Sequence, residues 1–198
     1  MKSSSQRTLR GRWPQPGDQE SATRLITDFA AVGHAEMLIT IRKEGRAALA
    51  ALGGNAPYLA GIVLREPDVF CSVLENGADA VVAAELSSLR TLRPDIPRSA
   101  TSAALRKKRQ RMALAIALAD ISGAWRLERV TTALSNLAEL SLQVVVRHLL
   151  FGLHARGAIV LPNPGDPEAG SNFTVIGNRW VCRSSTICNL CSICRSQR

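Results

Sequence analysis

Aromatic residues are scarce. Phe, Trp and Tyr together make up 4% of the 198 residues. A β-sandwich or barrel fills its core with aromatic and β-branched side chains, so that class is disfavoured. Long hydrophobic runs are missing too. No stretch of about 18 apolar residues occurs, which argues against a membrane-spanning helix and a membrane partner. The opening "MKSSSQRTLRGRWPQPGDQE" lacks the apolar centre of a secretion signal. It reads as a disordered N-terminus over residues 1–20. A cytoplasmic location is expected, where thiols stay reduced. Acidic residues run out before the end, with no Asp or Glu after Glu168. No Ser-His-Asp, His-Glu-x-x-His or P-loop pattern is present.

What is abundant points to helix. Apolar residues make up 46% of the chain, and Ala, Leu and Val supply most of them. "SATRLITDFAAV" offers Ser21 as an N-cap, with Leu25, Ile26, Phe29 and Ala30 on one side. "EMLITIRKEGRAALAALG" continues the pattern, with Gly53-Gly54 as a C-cap. "APYLAGIVLREPDVFCSVL" reads as two short helices broken at Pro67, the second holding Cys71 as a buried structural thiol. "ADAVVAAELSSLRTL" forms the next helix. The following one, "SATSAALRKKRQRMALAIALADISG", is capped by Ser99, Thr101 or Ser102 and ends at Gly123. A last helix spans residues 127–156, with Val130, Leu134, Leu137, Val144 and Leu149 near one face. The expected fold is therefore mainly α, a helical bundle over residues 21–157. A Pro/Gly-rich linker follows, and "FTVIG" at 173–177 reads as the start of a strand.

Three groups of residues invite chemistry. Cys182, Cys188, Cys191 and Cys194 include a C-x2-C-x2-C spacing used by zinc and iron–sulfur sites. Arg106, Lys107, Lys108, Arg109 and Arg111 form a basic run, which either contacts phosphates or is a solvated helix face. The net charge of +9 permits an anionic partner and selects none. No aromatics interleave with the run and no helix-turn-helix surrounds it, so no nucleic-acid partner is expected. His34, His148 and His154 are scattered and read as surface or helix-end residues.

The stretch "LRKKRQRMALAIALADISGAWRLERVTTALSNLAELSLQVVVRHLL" resembles one family, the bifunctional glutamine synthetase adenylyltransferases/adenylyl-removing enzymes. "GNAPYLAGIVLREPDVF" and the linker into "GSNFTVIG" share the resemblance, which runs from about residue 25 to Gly177. It implies a helical lead-in to an α/β nucleotidyltransferase domain, of which only the first strand is present, residues 158–177 being the linker and that strand. It also implies AMP transfer from ATP to a tyrosine of glutamine synthetase, and phosphorolytic removal of that AMP. Mg²⁺ and ATP would be the cofactors, with glutamine synthetase and a nitrogen-signalling regulatory protein as partners. In the family, two aspartates of an Asp-x-Asp motif soon after this strand would hold Mg²⁺. Here Gly177 is followed by Asn178, Arg179 and Trp180, and no carboxylate comes after. The chain is accordingly expected to be inactive alone, with no catalytic, cofactor-binding or metal residues of its own.

Residues 178–198 are expected to be an aberrant tail read in a shifted frame. The bases around Ser184, Ser185 and Thr186 can be chosen so that triplets one base earlier read Leu-Asn-Tyr. Those around Ser192, Ile193 and Cys194 can read Leu-Asp-Leu, and both echo the absent motif. The alternative reading is a small helical binding module whose Cys cluster holds a metal.

Overall fold

The computed structural model describes residues 13–31 and 42–171. Seven helices are defined there: α1 (Gln19–Phe29), α2 (Arg42–Asn55), α3 (Pro57–Arg65), α4 (Pro67–Asn76), α5 (Ala78–Arg90), α6 (Arg98–Ile121) and α7 (Leu127–Ala155). No strand occurs among the described residues, as a mainly α fold requires. The "FTVIG" segment, the four clustered cysteines and His34 lie outside the described residues.

Helix α1 starts earlier than the Ser21 cap suggested. Asp18 is the N-cap: its Oδ1 accepts the amides of Glu20 (2.9 Å) and Ser21 (3.1 Å). Ser21 instead donates its hydroxyl to Asp18 Oδ2 at 2.6 Å. The Ser21 hydroxyl and amide hydrogen bonds hold the Asp18 carboxyl below the usual carboxylate range. Residues before the helix are tied to the end of α2. Asn55 donates from Nδ2 to the Gln15 carbonyl and accepts the Gly17 amide at Oδ1. The disordered terminus expected from the sequence otherwise falls on residues 1–12, outside the described residues.

Gly53 and Gly54 do not cap α2; the helix runs through them to Asn55. Their role is close approach. A Cβ on Gly53 would sit 2.9 Å from Ala22 Cα and from the Ser21 carbonyl. One on Gly54 would meet Pro16 Cβ at 2.4 Å. The lack of side chains lets α1 lie directly on α2, which outweighs the helix-propensity cost of about 1 kcal/mol per glycine.

The break at Pro67 is as expected. Glu66 adopts φ −132°, ψ 57°, outside the helical region, because a following proline disfavours it there. Gly77 (φ 83°) separates α4 from α5, and Gly123 (φ 70°) ends the turn after α6. At the start of α6 none of Ser99, Thr101 and Ser102 is the cap. The N-cap position is Pro97, without a side-chain bond, and Thr101 is buried with its hydroxyl donated to the Pro97 carbonyl at 3.3 Å.

The core lies where α1 to α6 meet. Phe29, Leu49, Leu52, Ile62, Val63, Phe70, Val73, Leu89, Met112, Leu114 and Leu118 are all fully buried. Each such side chain contributes about 1.5–3 kcal/mol by leaving water. The Phe29 and Phe70 rings meet edge to face at 5.8 Å. Cys71 is buried as expected, and burial first, with Glu75 and Asp68 adding, pushes its thiol up to about 11. Helix α7 packs on α5 and α6 through Val130, Ala133, Leu137, Leu140 and Val144. Leu134 and Leu149, expected on the same face, are instead exposed. They lie far enough round the helix to clear the contact.

Candidate functional site: a charge network behind the basic run

Lys107 and Lys108 precede Arg111 by four and three residues, which places each beside it along one side of α6. That side faces α3, α4 and α5, and each of those helices or their junctions supplies a carboxylate. Arg111 is the centre. Its Nε donates to Glu85 Oε1 at 2.6 Å, and its Nη1 donates to Glu66 Oε2 at 2.6 Å and Asp68 Oδ2 at 2.9 Å. Lys108 Nζ donates to the other Glu85 oxygen at 2.6 Å. Lys107 approaches Glu66 Oε1 at 3.6 Å. The non-helical conformation of Glu66 before Pro67 lets it leave the α3 axis and reach α6.

Glu85 is the most buried member, with a side chain 7% exposed. Burial pushes its carboxyl up, but the hydrogen bonds from Lys108 and Arg111 outweigh burial and hold it below its ordinary value. Desolvation likewise works against the Arg111 cation, and the carboxylates of Glu85, Glu66 and Asp68 more than reverse it. Both charges are thus present in the folded chain. Removing one partner from such a buried pair costs about 3–5 kcal/mol.

Further contacts fix α7 and the segments at its two ends. Trp125 is buried, with its Nε1 donating to Asp79 Oδ2 at 3.4 Å, while the Arg129 guanidinium pairs with Asp79 and lies 4.9 Å over the indole ring. His148 Nδ1 lies 3.0 Å from the Pro94 carbonyl, tying α7 to the turn before α6. His154 Nδ1 receives the Leu161 amide at 3.3 Å and so folds the linker back on the helix. His154 fits the helix-end reading, whereas His148 sits two turns inside α7, half-buried against Pro94 and Thr101 rather than on the surface or at a helix end.

The basic run is therefore not wholly a solvated face. Arg106 and Arg109 are exposed, whereas Lys108 and Arg111 turn inward. The carboxylates that meet them escaped the sequence reading, because they lie 23 to 45 residues away. A signal did exist for Glu85: in "ADAVVAAELSSL" it follows Val81 and Val82 on the buried face. The converging carboxylates are matched by cations, and no group of three His, Cys, Asp or Glu among the described residues could hold a metal. No helix among the described residues is long and apolar enough to cross a membrane.

Comparison with known proteins places this scaffold. The family model described as glutamate-ammonia ligase adenylyltransferase matches residues 46–178. The chain belongs to that adenylyltransferase family. It is similar to the bifunctional glutamine synthetase adenylyltransferase/adenylyl-removing enzyme of Rhodopseudomonas palustris strain HaA2, with 32% identity covering 82% of this chain and 17% of the relative. The enzymes of the same name from R. palustris strain ATCC BAA-98 / CGA009 and Bradyrhizobium diazoefficiens are 36% and 33% identical. They cover 65% and 70% of this chain, and 13% and 14% of their own lengths. The chain thus spans about one-sixth of the length of the curated relatives it matches. No solved structure matches it. Within the adenylyltransferase family, then, the matched region includes the entire charge network from Glu66 to Arg111.

Proposed function

We propose that this chain is the helical lead-in of an enzyme that adenylylates and deadenylylates glutamine synthetase, and that it has no turnover by itself. The carrying observation is the extent of the family match, which covers the helices from within α2 through α7 and stops at residue 178. On this reading the charge network is structural. It fixes α6 against α3, α4 and α5 so that the linker after α7 is delivered at a set position to the nucleotidyltransferase unit. Mg²⁺ and ATP serve that unit in the longer protein, and none of the described residues is given a ligand role for either. Glutamine synthetase is the protein substrate, and a nitrogen-signalling protein sets the direction of reaction, in a cytoplasmic setting.

The same proposal takes residues 178–198 as a tail in a shifted frame. Its support is that no Asp or Glu follows Glu168, while adenylyl transfer needs carboxylates for its metal. Two experiments test this. Purified chain assayed with glutamine synthetase, ATP and Mg²⁺, and with adenylylated glutamine synthetase and phosphate, should show no turnover above a blank. Turnover in either direction would refute the assignment of inactivity. Resequencing the gene from the Gly177 codon onward should reveal a neighbouring frame that encodes an Asp-x-Asp motif. A single uninterrupted frame with no such motif alongside would remove the shifted-frame reading.

A further inference from the structure

Helix α7 ends in a reversal. Gly157 holds φ 71°, and the Ala158 amide returns to the Leu153 carbonyl at 3.0 Å, the bond of a Schellman cap. The chain then turns back on the helix it has left, and Leu161 donates its amide to His154. The residues that follow close into a small loop. Asp166 donates to the Asn163 carbonyl at 3.1 Å, Ala169 to that of Asp166 at 3.1 Å and Ser171 to that of Glu168 at 3.3 Å. Gly170, at φ 68°, lies against Pro162, whose Cγ is 3.4 Å from where a Cβ on the glycine would stand. A short loop with its ends together is an Ω-type unit.

This segment has apolar anchors of its own. Leu150 and Leu161 are 6% and 5% exposed, yet neither belongs to the cluster that joins α1 to α7. Small clusters under loops are where such residues collect. Pro167 is buried as well. Arg147, Leu150 and His154 follow one another by three and four residues, so they share a face of α7. That face carries two polar groups about 10 Å apart along the axis. His154 is engaged by Leu161. Arg147 is only half engaged: its Nη1 donates to the Arg90 carbonyl at 3.3 Å, while its Nε is buried with no acceptor. A buried donor left in that state costs free energy until an acceptor meets it. The nearest charge of opposite sign that senses it is Glu168, beside Pro167. Partial burial raises the Glu168 carboxyl above its ordinary value, and the Arg147 charge works against that rise.

We propose that residues 158–171 form a detachable strap on α7, fastened at His154 by the Leu161 amide and at Arg147 by the Glu168 carboxylate, and that it opens as one piece while the helices stay folded. Closed, the strap fixes the direction in which the chain leaves the bundle. Open, it releases that exit. The Arg147 end is the weaker fastening, because an ion pair at an exposed carboxylate adds little. The strap is a property of this chain and holds whether or not the chain is the lead-in of an adenylylating enzyme.

The test is site-resolved hydrogen exchange on the full chain in reducing buffer. The amides of Leu161, Asp166, Ala169 and Ser171 should exchange at least about tenfold more slowly than in an unfolded peptide, and together. They should still exchange faster than the Leu118 amide in α6, with no dependence on dilute urea that matches it. Glu168→Gln removes the charge from an exposed side chain and should speed exchange about threefold, at the distant Leu161 as well as at 169 and 171. Gly170→Ala, which forces a side chain into a left-handed φ, should speed all four about tenfold. Leu118 should be unmoved by either variant. Free-peptide exchange in the wild type would show that there is no strap. Slower exchange in Glu168→Gln, or none of its effect reaching Leu161, would remove the Arg147 fastening and the single piece respectively. Equal acceleration at Leu118 would show that strap and bundle open together, which overturns its detachment.

Discussion

Helices α6 and α7, the two longest among the described residues, use similar raw material in opposite ways. In α6 a strongly basic half precedes an apolar half, and part of each turns inward. Lys108 and Arg111 enter the carboxylate network, and Met112, Leu114, Ala115, Leu118 and Ala119 enter the core. In α7 apolar residues occupy two faces, yet only one is covered. A run of charge does not mark an outside, and a run of leucine does not mark an inside. What neighbouring helices present decides both.

The sharpest way to break this contrast is a pair of truncations. Leu118→Ala in α6 removes a side chain with no exposure and should cost about 3–5 kcal/mol in urea unfolding. Leu149→Ala in α7, at a position 54% exposed, should stay within about 0.5 kcal/mol. Equal costs would show that α7 is as enclosed as α6. Next in size, Arg111→Met should cost about 3 kcal/mol by leaving Glu85 and Glu66 short of a cation, against almost nothing for the exposed Arg109→Met. Combining Arg111→Met with Lys108→Met should give less than the sum, because both act through Glu85. A simple sum would mean that the network is not a unit.

A smaller effect concerns pH. Glu85 titrates below its ordinary value when folded, so the unfolded chain takes up that proton first. Its contribution is complete above the ordinary glutamate range and is lost as pH falls through the lower folded value. Stability should therefore drop on acidification, and Glu85→Gln should flatten that part of the curve. An unchanged slope would mean that Glu85 is not charged in the fold. The smallest effect sharpens the contrast at a thiol: Cys71, raised to about 11, should resist alkylation near neutral pH in the native chain and react on unfolding. Rapid native labelling at Cys71 would show that the α4 side of the core opens.

Much of the helical order could be read from the chain itself. Pro67 and Gly123 break backbone geometry by covalent constraint or positive φ, and such signals are local. The family resemblance was legible for a related reason, as it rests on a contiguous stretch. What escaped was relational. Asp18 beats Ser21 as a cap because the preceding loop is tied to Asn55. Gly53-Gly54 looks like a helix end and is a crossing point, since nothing local announces Ala22 and Pro16 lying against it. Leu134 and Leu149 fit the pattern of a buried face, and only the placement of α5 and α6 shows them exposed. The inward turn of the basic run needed acids from three other places in the chain.

The central place of Arg111 has a consequence for how this sequence can drift. One planar guanidinium there satisfies Glu66, Asp68 and Glu85 at once through nitrogens held at fixed angles. A lysine at that position would bring one compact charge and could not span the three. Exchange between the two cationic residues is thus open at positions 106 and 109 and closed at 111. Descendants of this chain that lose the arginine would have to lose their acids at 66 and 85 in company with it.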